Sequence, residues 1–369
     1  IGTDSGKLTT TGVGNTFVGD GSGRQNTTGA SNVAIGQSAL LANTTASNNT
    51  AVGLNALTAN TTGGDNVAIG KDALDANTTG SGNTAVGSSA GTGITTGINN
   101  TIVGGLAGDV LSDADYNVAI GHQALTSDTK GGSAVAVGYA ALFSQNFTSS
   151  TDNYNTAVGY NSGGAVTTGV HNTLIGGLAG DAITTGDSNT FVGKGAGSST
   201  TTPDHNTGVG RDAMFTNTTG TLNVAVGTAA MYYNTTGGSN TAVGKSALDA
   251  NTEGSRNVAV GQAALDANTT ANNNTAVGNA AMSANTTGAE NVAVGRNALL
   301  ANTTASNNTA VGQAAGLSNT TGGDNVAIGK GALSANTTGN TNVAVGTDAL
   351  DANVAGDRNT AIGTEALST

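Results

Sequence analysis

The sequence predicts an all-β fold, a parallel β-solenoid (β-roll or β-helix) of 17-residue coils, with a parallel homotrimer as the favoured assembly. Three observations carry this. First, an asparagine recurs every 17 residues at Asn15, Asn32, Asn49, Asn66, Asn83, Asn100 and Asn117. Ala134 takes the place once, four extra residues follow, and the ladder resumes at Asn155 and runs to Asn359. Second, the fourth position of the period is Val or Ile, and the fifth is Gly, in all 21 repeats. Third, the residues at the third and ninth positions trade volume. A strict short period means coils that bury their apolar side chains only by stacking on their neighbours.

Each position of the unit N-[TV]-A-[VI]-G-x-x-A-L-x-A-N-T-T-G-x-x has a physical reading. The first four residues suit a strand, and the obligatory Gly marks a corner. There it either takes a positive φ or admits a neighbouring backbone. The sixth and seventh positions vary and are polar, so exposure is expected. Thr-Thr-Gly closes the coil, and the single proline, Pro203, falls at the place of that Gly, as a turn allows. The Asn columns at the first and twelfth positions read as stacked ladders, each amide bonding its equivalent one coil away or capping a turn. Their N-T-T triplets also match the glycosylation sequon, a reading the ladder makes unnecessary.

The exceptions locate contacts. Phe17, Ile102, Leu174 and Phe191 replace the third-position Ala, and their repeats carry Gly23, Gly108, Gly180 and Gly197 at the ninth. Conversely, Gly208 goes with Met214. A close-packed interior has nearly fixed volume, so the two positions share one space, in the same coil or the next. Ile94, Leu111, Val166 and Ile183 replace the twelfth-position Asn only beside a ninth-position Gly, as if refilling that space. Alternate strand residues face opposite ways. With the fourth position always β-branched and the third trading volume, both strand faces read as buried. Either a neighbouring chain covers the second face, which favours the homotrimer, or the coil is a wider solenoid with mixed packing.

Composition narrows the function classes. Gly makes up 59 of 369 residues, Cys and Trp are absent, and Pro occurs once. The low hydrophobicity would suit disorder, but the apolar residues hold fixed places in the period. A formal net charge of −12 with 11 Lys and Arg opposes nucleic acid or anionic membrane as a partner. No apolar run approaches bilayer length, so no membrane insertion by this segment is expected. Residues 1–369 read as a single array, 21 repeats from Asn15, preceded by a truncated coil at 1–14 and carrying the four-residue insertion within 134–154. Because Ile1 and Thr369 both fall inside coils, the chain reads as a fragment of a longer one.

The motif Asn-Val-Ala-Ile-Gly, as at Asn32 to Gly36 and Asn66 to Gly70, resembles the head repeats of YadA-like trimeric autotransporter adhesins. The longer unit, as in Asn66 to Gly80, is similar to repeats of phage tail fibres and bacterial surface fibres. The resemblance covers the whole chain and implies a left-handed parallel β-roll that trimerises. The period is longer than the usual head repeat, by an A-L-x-A-N segment. What the resemblance implies is a non-enzymatic structural shaft of an extracellular fibre, at the bacterial cell surface or on a virion tail. At ~4.8 Å per coil, 21 coils would reach about 100 Å. The alternatives are an ice-binding or a glycan-binding solenoid module.

Chemistry is sparse. His122, His171 and His205 lie at different coil positions without metal-ligand spacing, so no metal or cofactor is expected. Asp75, Asp249, Asp266 and Asp351 recur at the tenth position, as a solvated face or a cation-binding row. No nucleophile–base pair stands out, so no catalytic residue is assigned. Ice binding would use the Thr columns, but adjacent Thr residues on an extended segment point opposite ways. One region departs from the array: six of the 11 aromatic residues fall between Tyr116 and Tyr160, with the insertion. The candidate recognition patch is therefore Tyr139, Phe143, Phe147, Tyr154 and Tyr160, with Phe147 and Tyr154 expected to be partly exposed and a host-surface glycan or protein as the partner. The competing reading is a spliced coil whose rings plug a packing defect.

Overall fold

Each coil opens with a three-residue strand at its second to fourth positions, as in Thr50–Val52 and Val67–Ile69. These strands pair in parallel one coil on, Thr50 with Val67 and Val52 with Ile69, as Val258 does with Thr275 and Val260 with Val277. The result, in the computed structural model, which describes residues 1–368, is an all-β parallel β-solenoid of about 20 coils of roughly 17 residues. Among the described residues there is no helix, and so none long and apolar enough to cross a membrane. The chain divides into two compact units, Ile1–Asp187 and Ser188–Thr369. The first holds ten three-residue strands, from Thr16–Val18 to Thr173–Ile175, and the insertion; the second holds eleven, from Thr190–Val192 to Thr360–Ile362.

The A-L-x-A-N segment forms neither strand nor helix. It runs as three overlapping turns. In the coil of Asn49, Ala56 N–H donates to the Gly53 carbonyl at 3.4 Å, Thr58 to Asn55 at 3.2 Å and Asn60 to Leu57 at 3.2 Å. The turns place Asn55 at φ 56° and Leu57 at φ 52°, in the left-handed region. Such a φ is uncommon for a side chain as large as Leu. It persists because it aims the ninth side chain inward, where Leu57 is fully buried. The remaining N–H groups reach adjacent coils. Thr50, Leu57, Ala59 and Thr61 donate forward to Asn66, Ala73, Asp75 and Thr78 at 2.8–3.1 Å; Gly53 and Asn55 donate back to Ile35 and Gln37 at 2.8 and 3.0 Å. The second unit repeats the pattern, with Val258, Leu265, Ala267 and Thr269 donating to Asn274, Ala281, Ser283 and Thr286 at 2.8–3.1 Å.

The fifth-position Gly meets both reasons given for it. Gly53 has φ 137°, and a Cβ there would lie 2.4 Å from the Gly70 carbonyl oxygen in the next coil.

The interior is small and half polar. In the coil of Asn49, the buried residues are Asn49, Ala51, Ala56, Leu57, Asn60 and Gly63. Burying one Leu contributes about 1.5–3 kcal/mol. A single buried amide left unpaired costs about 1–3 kcal/mol, so the Asn columns weigh as much as the apolar core. They are paired. Asn60 Nδ2 donates to Asn43 Oδ1 at 3.0 Å and to the Gly63 carbonyl at 2.9 Å. Asn49 Nδ2 donates to the same carbonyl at 2.9 Å, while Asn49 N–H donates to Asn32 Oδ1 at 3.0 Å. The twelfth column is thus an amide-to-amide ladder, and the first column locks backbone to side chain. Where Ile94 interrupts the twelfth column, Asn77 Oδ1 is left without a partner.

The volume trade lies within one coil. A Cβ at Gly23 would stand 2.4 Å from Phe17 Cε1, and one at Gly180 would stand 2.7 Å from Leu174 Cδ2 and 2.8 Å from Ile183 Cδ1. Gly208 has a different cause from the expected trade with Met214. Its Cβ would meet Phe191 Cδ1 of the preceding coil at 2.7 Å. The strand faces also differ from expectation. The third position is buried from Ala34 to Ala361, with Phe17 half-buried, but the fourth is open on the single chain, with Ile35 41% and Ile69 40% exposed. Other fourth-position side chains, such as Val52 and Val86, are half-buried.

Candidate functional site

The insertion preserves the ladders by substitution. Ala134 has no amide, and Asn153 supplies one: its Oδ1 accepts the Asn155 N–H at 2.9 Å and its Nδ2 donates to the Gly132 carbonyl at 2.8 Å. In the twelfth column Asp128 and Gln145 replace Asn. Gln145 Nε2 donates to Asp128 Oδ2 at 2.7 Å, and Gln145 Oε1 accepts Asn155 Nδ2 at 2.9 Å. The N–H groups of Gly131 and Phe147 donate to Asp128 Oδ1, each at 3.0 Å. The extra residues emerge as an exposed bulge at Thr148, Ser149 and Ser150. Gly131–Gly132 and Thr151–Asp152 then pair as a short second sheet.

This geometry separates the five expected patch residues. Phe147 is not partly exposed. It is 6% exposed, its ring against Gly131, where a Cβ would lie 2.8 Å from Cδ2. The reason is that its backbone N–H and carbonyl are both tied into the preceding coil, by Asp128 and by Lys130 N–H. The other four rings are exposed but occupy different columns. Tyr139 and Tyr160 share the sixth position and stack at 5.4 Å with planes 9° apart. His122, one coil earlier, extends that column, stacked on Tyr139 at 5.8 Å. Tyr154 lies in the seventeenth column, stacked on His171 at 5.8 Å. Phe143 lies in the tenth. Sequence reasoning missed His122 and His171 as ring partners.

It also missed a cluster in the second unit. Phe215 and Tyr232, at the tenth position of successive coils, stack at 5.0 Å, and Tyr233 meets Tyr232 edge-on at 4.7 Å. Their signal was in the sequence, since stacked partners stand one period apart. Above Tyr232 the column continues with Asp249 and Asp266. Burial raises both carboxyl pKa values, and the charge of Asp266 raises that of Asp249 further. The tenth-position carboxylates are thus half-buried rather than fully solvated; Asp75 accepts the Thr92 hydroxyl. Among the described residues no group of three or more His, Cys, Asp or Glu is placed to hold a metal.

The first Thr of each pair is engaged, while the second, as at Thr62, Thr79 and Thr287, is exposed. Thr61 Oγ1 donates to the Thr78 carbonyl at 3.0 Å, Thr78 to Thr95 at 3.1 Å and Thr286 to Thr303 at 3.0 Å. The sequon asparagines, such as Asn60 and Asn77, are fully buried. A scan against protein-family models found no match to this chain, and a search of the curated proteins returned no relative.

Proposed function

We propose that this chain is a structural, non-enzymatic shaft segment of an extracellular fibre, a bacterial adhesin or phage tail fibre, built from parallel homotrimers. One observation carries this reading: the open strand face of the second and fourth positions, a repeating column of β-branched side chains typified by Ile35 and Ile69. An exposed column that is Val or Ile in every coil, flanked by Thr or Val, suits an interaction site better than an ordinary exterior. A second copy of the chain fits it best, because only an identical solenoid repeats at the same spacing along its whole length. Length and rigidity then follow from coils that satisfy their backbone and amide groups only through their neighbours.

Two measurements test the proposal separately. Electron microscopy should show slender rods, and compact globules would refute the shaft. Mass measurement in solution should give three chains per particle, and a stable folded monomer would refute the trimer.

A further inference from the structure

His122, Tyr139 and Tyr160 stack on consecutive coils, with ring centroids 5.8 and 5.4 Å apart. A ring inside such a column has both faces covered, whereas a ring at its end keeps one. Tyr160 is the end of this column, and it is 62% exposed. The sixth position of the following coil is Gly177, where a Cβ would meet no atom within 4 Å. Gly177 therefore marks a rung that has room for a ring but no side chain to fill it. The opposite end differs. A Cβ at Gly105 would already lie 3.5 Å from His122 Cδ2, so the imidazole overhangs that step.

We propose that the rung at Gly177 is a binding site for a hexopyranose, which lays its C–H face on the face of Tyr160 turned away from Tyr139. The inference is independent of the fibre reading. Three considerations select this ligand class. The rise per coil, ~4.8 Å, matches the spacing at which one ring rests on another. The rung opens to solvent, so a guest needs one flat apolar face and a polar rim. A pyranose keeps its hydroxyls hydrated there, with no buried polar group to satisfy. The guest is also uncharged, and the chain's net charge of −12 disfavours a flat but anionic ring such as a nucleotide.

The test uses the whole chain with methyl β-glucopyranoside as probe, read by saturation-transfer NMR and by titration. Tyrosine ring protons should transfer saturation to the sugar C–H protons. Tyr160→Ala should weaken binding about three- to tenfold, the scale of one lost ring stack. Gly177→Leu should weaken it as much while leaving Tyr160 in place. Residue 177 lies in open space and outside the positive-φ positions, so this variant should melt like the native chain. Tyr154→Ala, in another column, should bind as the native chain does. Absence of transfer to the native chain overturns the site, as does undiminished binding by Gly177→Leu. Binding of p-cresol at this rung without binding of the glucoside overturns the pyranose assignment.

Discussion

The ring of Phe191 stands where a side chain at residue 197 would be: a Cβ on Gly197 would lie 2.6 Å from Phe191 Cδ2. The third and ninth positions of this coil therefore fill one space. Phe191→Ala should leave a cavity and cost about 3–5 kcal/mol. Adding Gly197→Leu should recover part of that loss. Gly197 has φ 62°, close to the φ 53° at which Leu40 already sits in the same column, so the backbone accepts Leu. Denaturant titration of the single and double variants checks this. If the double is no more stable than the single, the two positions do not exchange volume.

The amide ladder should matter about as much as the leucine beside it. Asn60 donates to Asn43 and Gly63 and accepts from Asn77 at 2.8 Å, all in the interior. Asn60→Ala removes these bonds and strands their partners, so a loss of at least about 2 kcal/mol is expected. Leu57→Ala should cost about 2–5 kcal/mol. Urea unfolding of both variants gives the comparison. An Asn60→Ala midpoint equal to that of the native chain would mean the ladder is energetically idle.

Acidity should stabilise one stretch of the second unit. Burial raises the carboxyl pKa of Asp249 and Asp266, and Asp266 adds repulsion on Asp249. The folded chain then binds protons more readily than the unfolded chain. The associated stability is fully present below the unfolded carboxyl value, about 3.9, and is lost as pH rises through the raised folded values. Asp266→Asn removes one charge and the repulsion on Asp249, so it should raise the melting temperature at pH 7. The gain should shrink as the pH falls towards 4. An equal effect at both pH values would show that the charge is not the cause.

The coil path and the site were legible to different degrees. The period, the strand and the fifth-position Gly could be read because each shows as a fixed residue type, as at Gly53. The left-handed Leu57 could not. Leucine commonly packs a helix or strand, and its φ is set by the turns around it rather than by its own preference. The insertion was visible as an interruption, but not the substitution of Asn153 for the amide missing at Ala134, because that depends on how an irregular loop folds back. The aromatic patch was read from local density along the chain. Stacking in a solenoid instead follows the period, which pairs Tyr154 with His171 and separates Tyr139 from Phe143.

The open strand face yields the most decisive prediction about assembly. Ile69, Val86 and Val103 stand at its fourth position in successive coils and point away from the interior that Ala68, Ala85 and Ile102 fill. Changing all three to Lys should leave the coil intact, since no interior contact is lost. It should break association, because each copy would have to bury unpaired ammonium groups against its partners. Solution mass should fall from three chains to one, while circular dichroism keeps its β signature. A triple variant that remains trimeric would place the interface elsewhere, and a native chain already monomeric would leave this face without the partner assigned to it.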